Sequence, residues 1–166
     1  MLIHSHFCKT MLTLITGATT EILLKPTSRV KDPLSEEIQS LLPQMVETMY
    51  KEKGIGLAAP QINKSIRLAV AEVDDKIYYL INPEITSLSQ EKILFEEGCL
   101  SLPGQFFPII RSEEITVRYQ NEKGLPKKLR ATGLLAIVIQ HEVDHLDGIL
   151  IINRYKKQQK KTSVIL

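Results

Sequence analysis

The stretch QHEVDHLDG, Gln140 to Gly148, sets polar, ligand-capable side chains on the face of a helix that its neighbours mark as buried. His141 and His145 are four residues apart, so on an α-helix they differ by about 40° in azimuth and both rings can reach one ion. Leu134, Ile137, Val138, His141 and His145 follow the i, i+3, i+4, i+7 spacing of one face. Gly148 falls where a C-terminal cap belongs. The two imidazoles therefore face the core. Glu142 is turned roughly 100° from His141, beside the ion rather than behind it. That placement suits a carboxylate acting as general base on a water held by a metal.

Two histidines leave a site incomplete. Zinc proteases with this helix usually draw a third ligand from a later His or Glu, and no residue of either type follows Gly148. The ligand must then come from upstream. Cys99 is the best candidate, because EEGCLSLPG holds one thiol in a segment punctuated by Gly and Pro, and a thiolate neutralises charge on a divalent ion. Two imidazoles and a thiolate leave a fourth position for water. The competing reading is an inert buried cysteine and two satisfied core histidines; the combination with Cys99 weighs against it.

Three segments, GIGLAAPQ (Gly54 to Gln61), EEGCLS (Glu96 to Ser101) and QHEVDH (Gln140 to His145), resemble the three signature motifs of peptide deformylases, in the same order and at similar separations. The resemblance runs from about Leu12 to Tyr155. It implies that Cys99, His141 and His145 bind one divalent metal, Fe(II) in the cell, with Zn, Ni or Co possible in purified protein. It implies Glu142 as the acid–base group, with the side-chain amide of Gln61 and the backbone N–H of Leu100 as donors to the developing oxyanion. The implied reaction removes the N-formyl group from the initiator formyl-methionine of new polypeptides and releases formate. Gly54, Gly56 and Gly98 are expected along the substrate backbone, where an extended peptide could add as a strand. Ile55, Leu134, Ile137 and Val138 are expected around the methionine side chain, although aliphatic residues on a helix face are core residues first. Asp144, about 60° from His141 around the helix, is expected to pair with Arg111.

One position departs from the pattern. Many bacterial members carry a basic residue five positions after the motif serine, and this chain has Phe106 there. Substrate preference beyond methionine is therefore not carried over from the resemblance. The lack of a Lys-Ser/Thr ending on GIGLAAPQ argues against phosphate binding.

At 166 residues and 43% hydrophobic content, the chain is expected to form a single domain, 1–166, with a short N-terminal extension (1–10) and a basic C-terminal tail (154–166). A net charge of +2 gives no reason to expect a polyanion partner for the whole fold. Cys8 and Cys99 are the only cysteines, which fits a reducing compartment, and the expected location is the cytoplasm. No apolar run approaches the roughly 18 residues of a membrane span, and a monomer is expected.

The pattern along the chain predicts α+β, with antiparallel curved sheets packed around a central metal-binding helix. A first helix is expected from an Asp32 N-cap and first-turn Pro33 to about Glu52, with a kink at Pro43. Strands are expected at Ile66–Val73, Lys76–Ile85, Glu91–Phe95, Ile115–Gln120 and Lys127–Arg130, with turns at Asp74-Asp75 and Asn121 to Gly124. His4, His6 and Cys8 alternate like ligands, but a terminal segment is a poor place for a site, and Met11 is an alternative start to Met1. Arg154, Lys156, Lys157, Lys160 and Lys161 form a cluster without acids, read as a solvated tail with a possible role in ribosome association.

Overall fold

The computed structural model describes residues 12–163, with side chains to residue 160. The His4, His6 and Cys8 alternation and the Met11 start lie outside the described residues. Helix α1 spans Glu36–Lys51 and buries Ile38, Leu41, Leu42, Met45 and Met49 on one face. Its N-cap is Ser35, whose hydroxyl accepts from the Ile38 N–H, and not Asp32. Asp32 instead closes a preceding turn by accepting from the Leu34 N–H, so the first-turn proline reading fails by one turn. Pro43 does not interrupt α1; it lies on the exposed face, where water can serve the backbone carbonyl that loses its donor.

Strand β1 (Gly56–Ala58) is followed by a short 3₁₀ turn, Ala59–Ile62, that carries Gln61. Strands β2 (Leu68–Val73) and β3 (Lys76–Leu88) form a hairpin closed by Asp74 and Asp75, both at positive φ, as a two-residue turn requires. Strand β4 (Lys92–Cys99) outruns its expected end at Phe95 and reaches the motif cysteine. Strand β5 (Leu102–Ser112) was not among the expected strands; it contains Pro103, Gly104 and Pro108, residue types depleted from strands. They are tolerated because, among the described residues, β5 pairs with β4 alone and its other edge meets no strand. Strands β6 (Glu114–Gln120) and β7 (Pro126–Thr132) lead into helix α2, Gly133–Leu146.

The main sheet is antiparallel with order β1-β2-β3-β6-β7. Register shifts in β3 between Ile81 and Glu84 and between Ile85 and Ser87 bend it. Alternation along β2 sorts the two faces. Leu68 and Val70 pack with α1, whereas Ala69 packs with Ala136, Ile139, Val143 and Leu146 of α2. Small residues on that second face let α2 sit close to the sheet. Its opposite side meets the β4–β5 hairpin, so α2 lies between two antiparallel layers. The fold is thus the α+β arrangement of curved sheets around a central helix.

The C-terminal region is a helix rather than a loose tail. Helix α3 spans Ile151–Ser163. Tyr155 stacks against Phe107 of β5 with ring centroids 5.2 Å apart, and Gln158 accepts from the Ile110 N–H. Arg154 is not part of a free cationic cluster, because its guanidinium is paired with Asp144 of α2. Lys156, Lys157 and Lys160 remain exposed.

Candidate metal centre

Helix α2 ends at the Asp147 cap, and Gly148 follows at φ +74°, packed so tightly that an added Cβ would meet the Leu24 carbonyl carbon at 2.7 Å. Only glycine suits both demands. Upstream of this stop, one helix face presents His141 and His145 to the end of β4. The two Nε2 atoms lie 3.2 Å apart, and Cys99 Sγ lies 3.3 Å from His145 Nε2. All three ligand atoms fall within 4.8 Å of one another. Tetrahedral coordination with ordinary metal–N and metal–S bonds would put two nitrogens roughly 3.4 Å apart and nitrogen and sulfur roughly 3.6 Å apart. The three donors therefore fit one small divalent ion with little adjustment.

A buried ion-pair chain holds the first histidine. His141 Nδ1 is 2.8 Å from Glu97 Oε2, which turns its Nε2 toward the other donors. Arg111 grips Glu97 with two hydrogen bonds, Nε to Oε1 at 2.7 Å and Nη2 to Oε2 at 2.9 Å. Its Nη1 donates to Asp144 Oδ2 at 2.5 Å, the pairing expected from the sequence. Arg154 closes the chain on Asp144. Burial pushes the Glu97 carboxyl upward, but the hydrogen bonds from Arg111 and His141 outweigh it and hold the group at about 2. Burial would likewise lower His141, yet its contacts with Cys99 and Glu97 raise it well above the usual range. His145 is pushed down by burial and then by its cationic neighbours His141 and Arg111, so it presents a neutral imidazole.

Glu142 sits on the neighbouring face of α2. Burial raises its carboxyl to about 7, with the charge on His141 opposing the rise. Its Oε2 is buried and has no hydrogen-bond partner among the described residues. Such an oxygen is costly unless a ligand or water completes it. Gly56 of β1 is packed against this carboxylate, since an added Cβ would lie 2.2 Å from Oε1.

Gln61 is 2% exposed and is anchored at both ends of its amide. Its Oε1 accepts from the Ala58 N–H at 2.8 Å, and its Nε2 donates to Ser101 Oγ at 3.2 Å while lying 3.8 Å from Cys99 Sγ. Ser101 in turn donates to the Ile15 carbonyl. The orientation of Gln61 thus depends on the segment before α1, and the motif serine supports it.

These groups line a cavity of about 700 Å³ between residues 52–56, the β4–β5 hairpin and α2. Gly54, Ile55, Gly56, Gln61, Gly98, Cys99, Leu100, Leu134, Ile137, Val138, His141 and Glu142 all line it. His145 does not; it lies behind the other ligands at 1% exposure. Ile137 and Val138 are buried, whereas Ile55 and Leu134 stand exposed at the rim. Glu97 and Ser101 were not anticipated. Glu97 is two residues from Cys99, so strand alternation offered a signal. No spacing rule links Ser101 to Gln61, 40 residues earlier.

The family model described as polypeptide deformylase matches residues 12–161. A peptide deformylase from a Picosynechococcus species is 46% identical over 130 residues, covering 75% of this chain and 70% of that one. The crystal structure of peptide deformylase from Thermotoga maritima superposes with a TM-score of 0.84 at 40% identity, covering 87% of this chain and 97% of that one. A peptide deformylase from Synechococcus elongatus, in complex with actinonin, gives a TM-score of 0.83 at 40% identity, over 87% and 78% of the two chains.

Proposed function

We propose a division of labour among the site residues from an established premise: this chain belongs to the polypeptide deformylase family, metal-dependent hydrolases that remove the N-formyl group from new polypeptides. The observation that carries the assignment is the buried, unpartnered Oε2 of Glu142 beside the Cys99, His141 and His145 donors. Cys99, His141 and His145 would hold a divalent ion, which would supply Lewis acidity to the formyl carbonyl and acidify the attacking water. Glu142 accepts the proton of the attacking water and returns it to the departing amine nitrogen. Gln61 Nε2 and the Leu100 N–H donate to the carbonyl oxygen as it gains charge. Gly54, Gly56 and Gly98 let the extended peptide backbone approach, and Ile137 and Val138, with Ile55 and Leu134 at the rim, receive the methionine side chain.

The thiolate and two imidazoles suit Fe(II), Zn, Ni or Co, and we propose Fe(II) as the ion in the cell. The further proposals are a monomeric, cytoplasmic enzyme formed as one domain, with Lys156, Lys157 and Lys160 of α3 contributing to ribosome association. No helix among the described residues is long and apolar enough to cross a membrane. By extension from the Synechococcus elongatus relative, actinonin should occupy the same cavity here.

Formate release from formyl-Met-Ala-Ser tests the reaction, with unformylated Met-Ala-Ser as the control. Turnover of the formylated peptide alone is expected. Cleavage of the unformylated peptide would instead indicate a general peptidase. Replacing Lys156, Lys157 and Lys160 with Gln should leave the short-peptide rate unchanged while weakening salt-sensitive co-sedimentation with ribosomes; equal co-sedimentation would reduce the basic residues to a solvated helix face.

A further inference from the structure

The cavity lining includes two exposed phenylalanines of the β4–β5 hairpin. Phe106 is 62% exposed and Phe95 is 39% exposed, and both line the cavity. Phe106 is the register partner of Gly98, and its ring lies so near that a Cβ on Gly98 would meet Phe106 Cε1 at 2.7 Å. The ring is therefore seated on the strand that carries Cys99, one residue before that ligand, with most of its surface open to solvent. Pro103 and Ile55 also line the cavity, and Ile55 is exposed. The charged lining residues besides His141 and Glu142 are Glu52 and Lys53, which precede β1, and Glu97, whose carboxylate is engaged by Arg111 and His141.

A peptide whose formyl carbon reaches Cys99 and whose first side chain enters the cavity must leave along the rim. The chain leaving past Gly98 passes Phe106. An exposed aromatic ring at the mouth of a catalytic cavity gains most by covering another apolar side chain, and offers a carboxylate no partner. We propose that Phe106 is a specificity-determining residue that favours formylated peptides with bulky apolar side chains at the first two positions after methionine. This inference rests on the deformylase reading of the cavity.

The test is kcat/KM for two peptide series, formyl-Met-X-Ser and formyl-Met-Ala-X, with X as Phe, Leu, Ala, Asp or Lys, on the wild type, Phe106→Ala and Phe106→Arg. Wild type should favour Phe or Leu over Asp by about 10-fold at one position or both, the scale at which an apolar contact discriminates. Phe106→Ala should reduce that ratio to about 2, through KM for the apolar peptides. Phe106→Arg should turn the preference toward Asp. An unchanged ratio in Phe106→Ala overturns the proposal, as does an equal loss for every peptide, which would make Phe106 a support for the Gly98 strand. Formate release from none of the peptides by the wild type would instead overturn the deformylase reading itself.

Discussion

Gly56→Ala probes the packing of the proton-transfer group without touching a metal ligand. The added Cβ would lie 2.2 Å from Glu142 Oε1, 2.9 Å from its Cδ and 3.1 Å from Val138 Cγ1. Non-bonded carbon and oxygen need at least about 3.2 Å, so the carboxylate must recede by roughly 1 Å. Val138 Cγ1 closes one direction, so the carboxylate must recede toward the cavity it lines, away from its working position. A shift of about 1 Å in a catalytic group is worth on the order of 100-fold in rate. The expected loss of kcat is therefore about 100-fold, with about 1–3 kcal/mol of stability lost to overpacking. Metal content should stay at that of the wild type, because Cys99, His141 and His145 keep their positions. KM for formyl-Met-Ala-Ser should rise as well, since Gly56 is proposed to lie along the peptide backbone. The assay is formate release at saturating peptide, with metal analysis and thermal melting of the same preparation. A folded variant with kcat within about 3-fold of wild type would refute the close approach of Gly56 to a working Glu142.

Cys99→Ser should lose most of its metal and nearly all activity, because a neutral hydroxyl replaces a thiolate on a borderline ion; elemental analysis after dialysis checks this. Glu97→Gln should lower stability by about 3 kcal/mol, since Arg111 keeps only Asp144 as a charged partner. The same variant should bind metal about 10–100-fold more weakly, because His141 loses the carboxylate that orients it; denaturant unfolding and chelator competition read the two effects separately. The Fe(II) form should lose activity in air faster than the Zn or Ni form, because redox-active iron beside Cys99 generates oxidants at the thiolate. Equal lifetimes for all three forms would contradict that chemistry.

The helix that carries the ligands was legible because its evidence is local. Four-residue spacing and an apolar stripe fix which side chains share a face, and Gly148 marks the stop. The β2–β3 hairpin was legible for the same reason, its turn being set by Asp74 and Asp75. What sequence did not disclose depends on partners distant along the chain. Asp32 and Ser35 are both credible caps, and only the position of the helix chooses Ser35. The prolines and glycine of β5 are residue types depleted from strands, tolerated because the strand, among the described residues, pairs on one side alone. The run of cations in α3 outweighed its buried stripe, so the packing of Tyr155 on Phe107 was missed. Glu97, Arg111, Asp144 and Arg154 come from four elements, and of their contacts only the Asp144–Arg111 pair was expected.

The most direct measurement is formate release from formyl-Met-Ala-Ser by wild type and Glu142→Gln, each loaded anaerobically to one Fe(II) per chain. The ligands Cys99, His141 and His145 are common to both proteins, so both should retain the ion through gel filtration. Wild type should turn over, and Glu142→Gln should be slower by at least about 100-fold, the scale of a lost general acid–base group. Full activity in Glu142→Gln, or loss of iron from it, would contradict the assignment of proton transfer to Glu142 and metal binding to the other three residues.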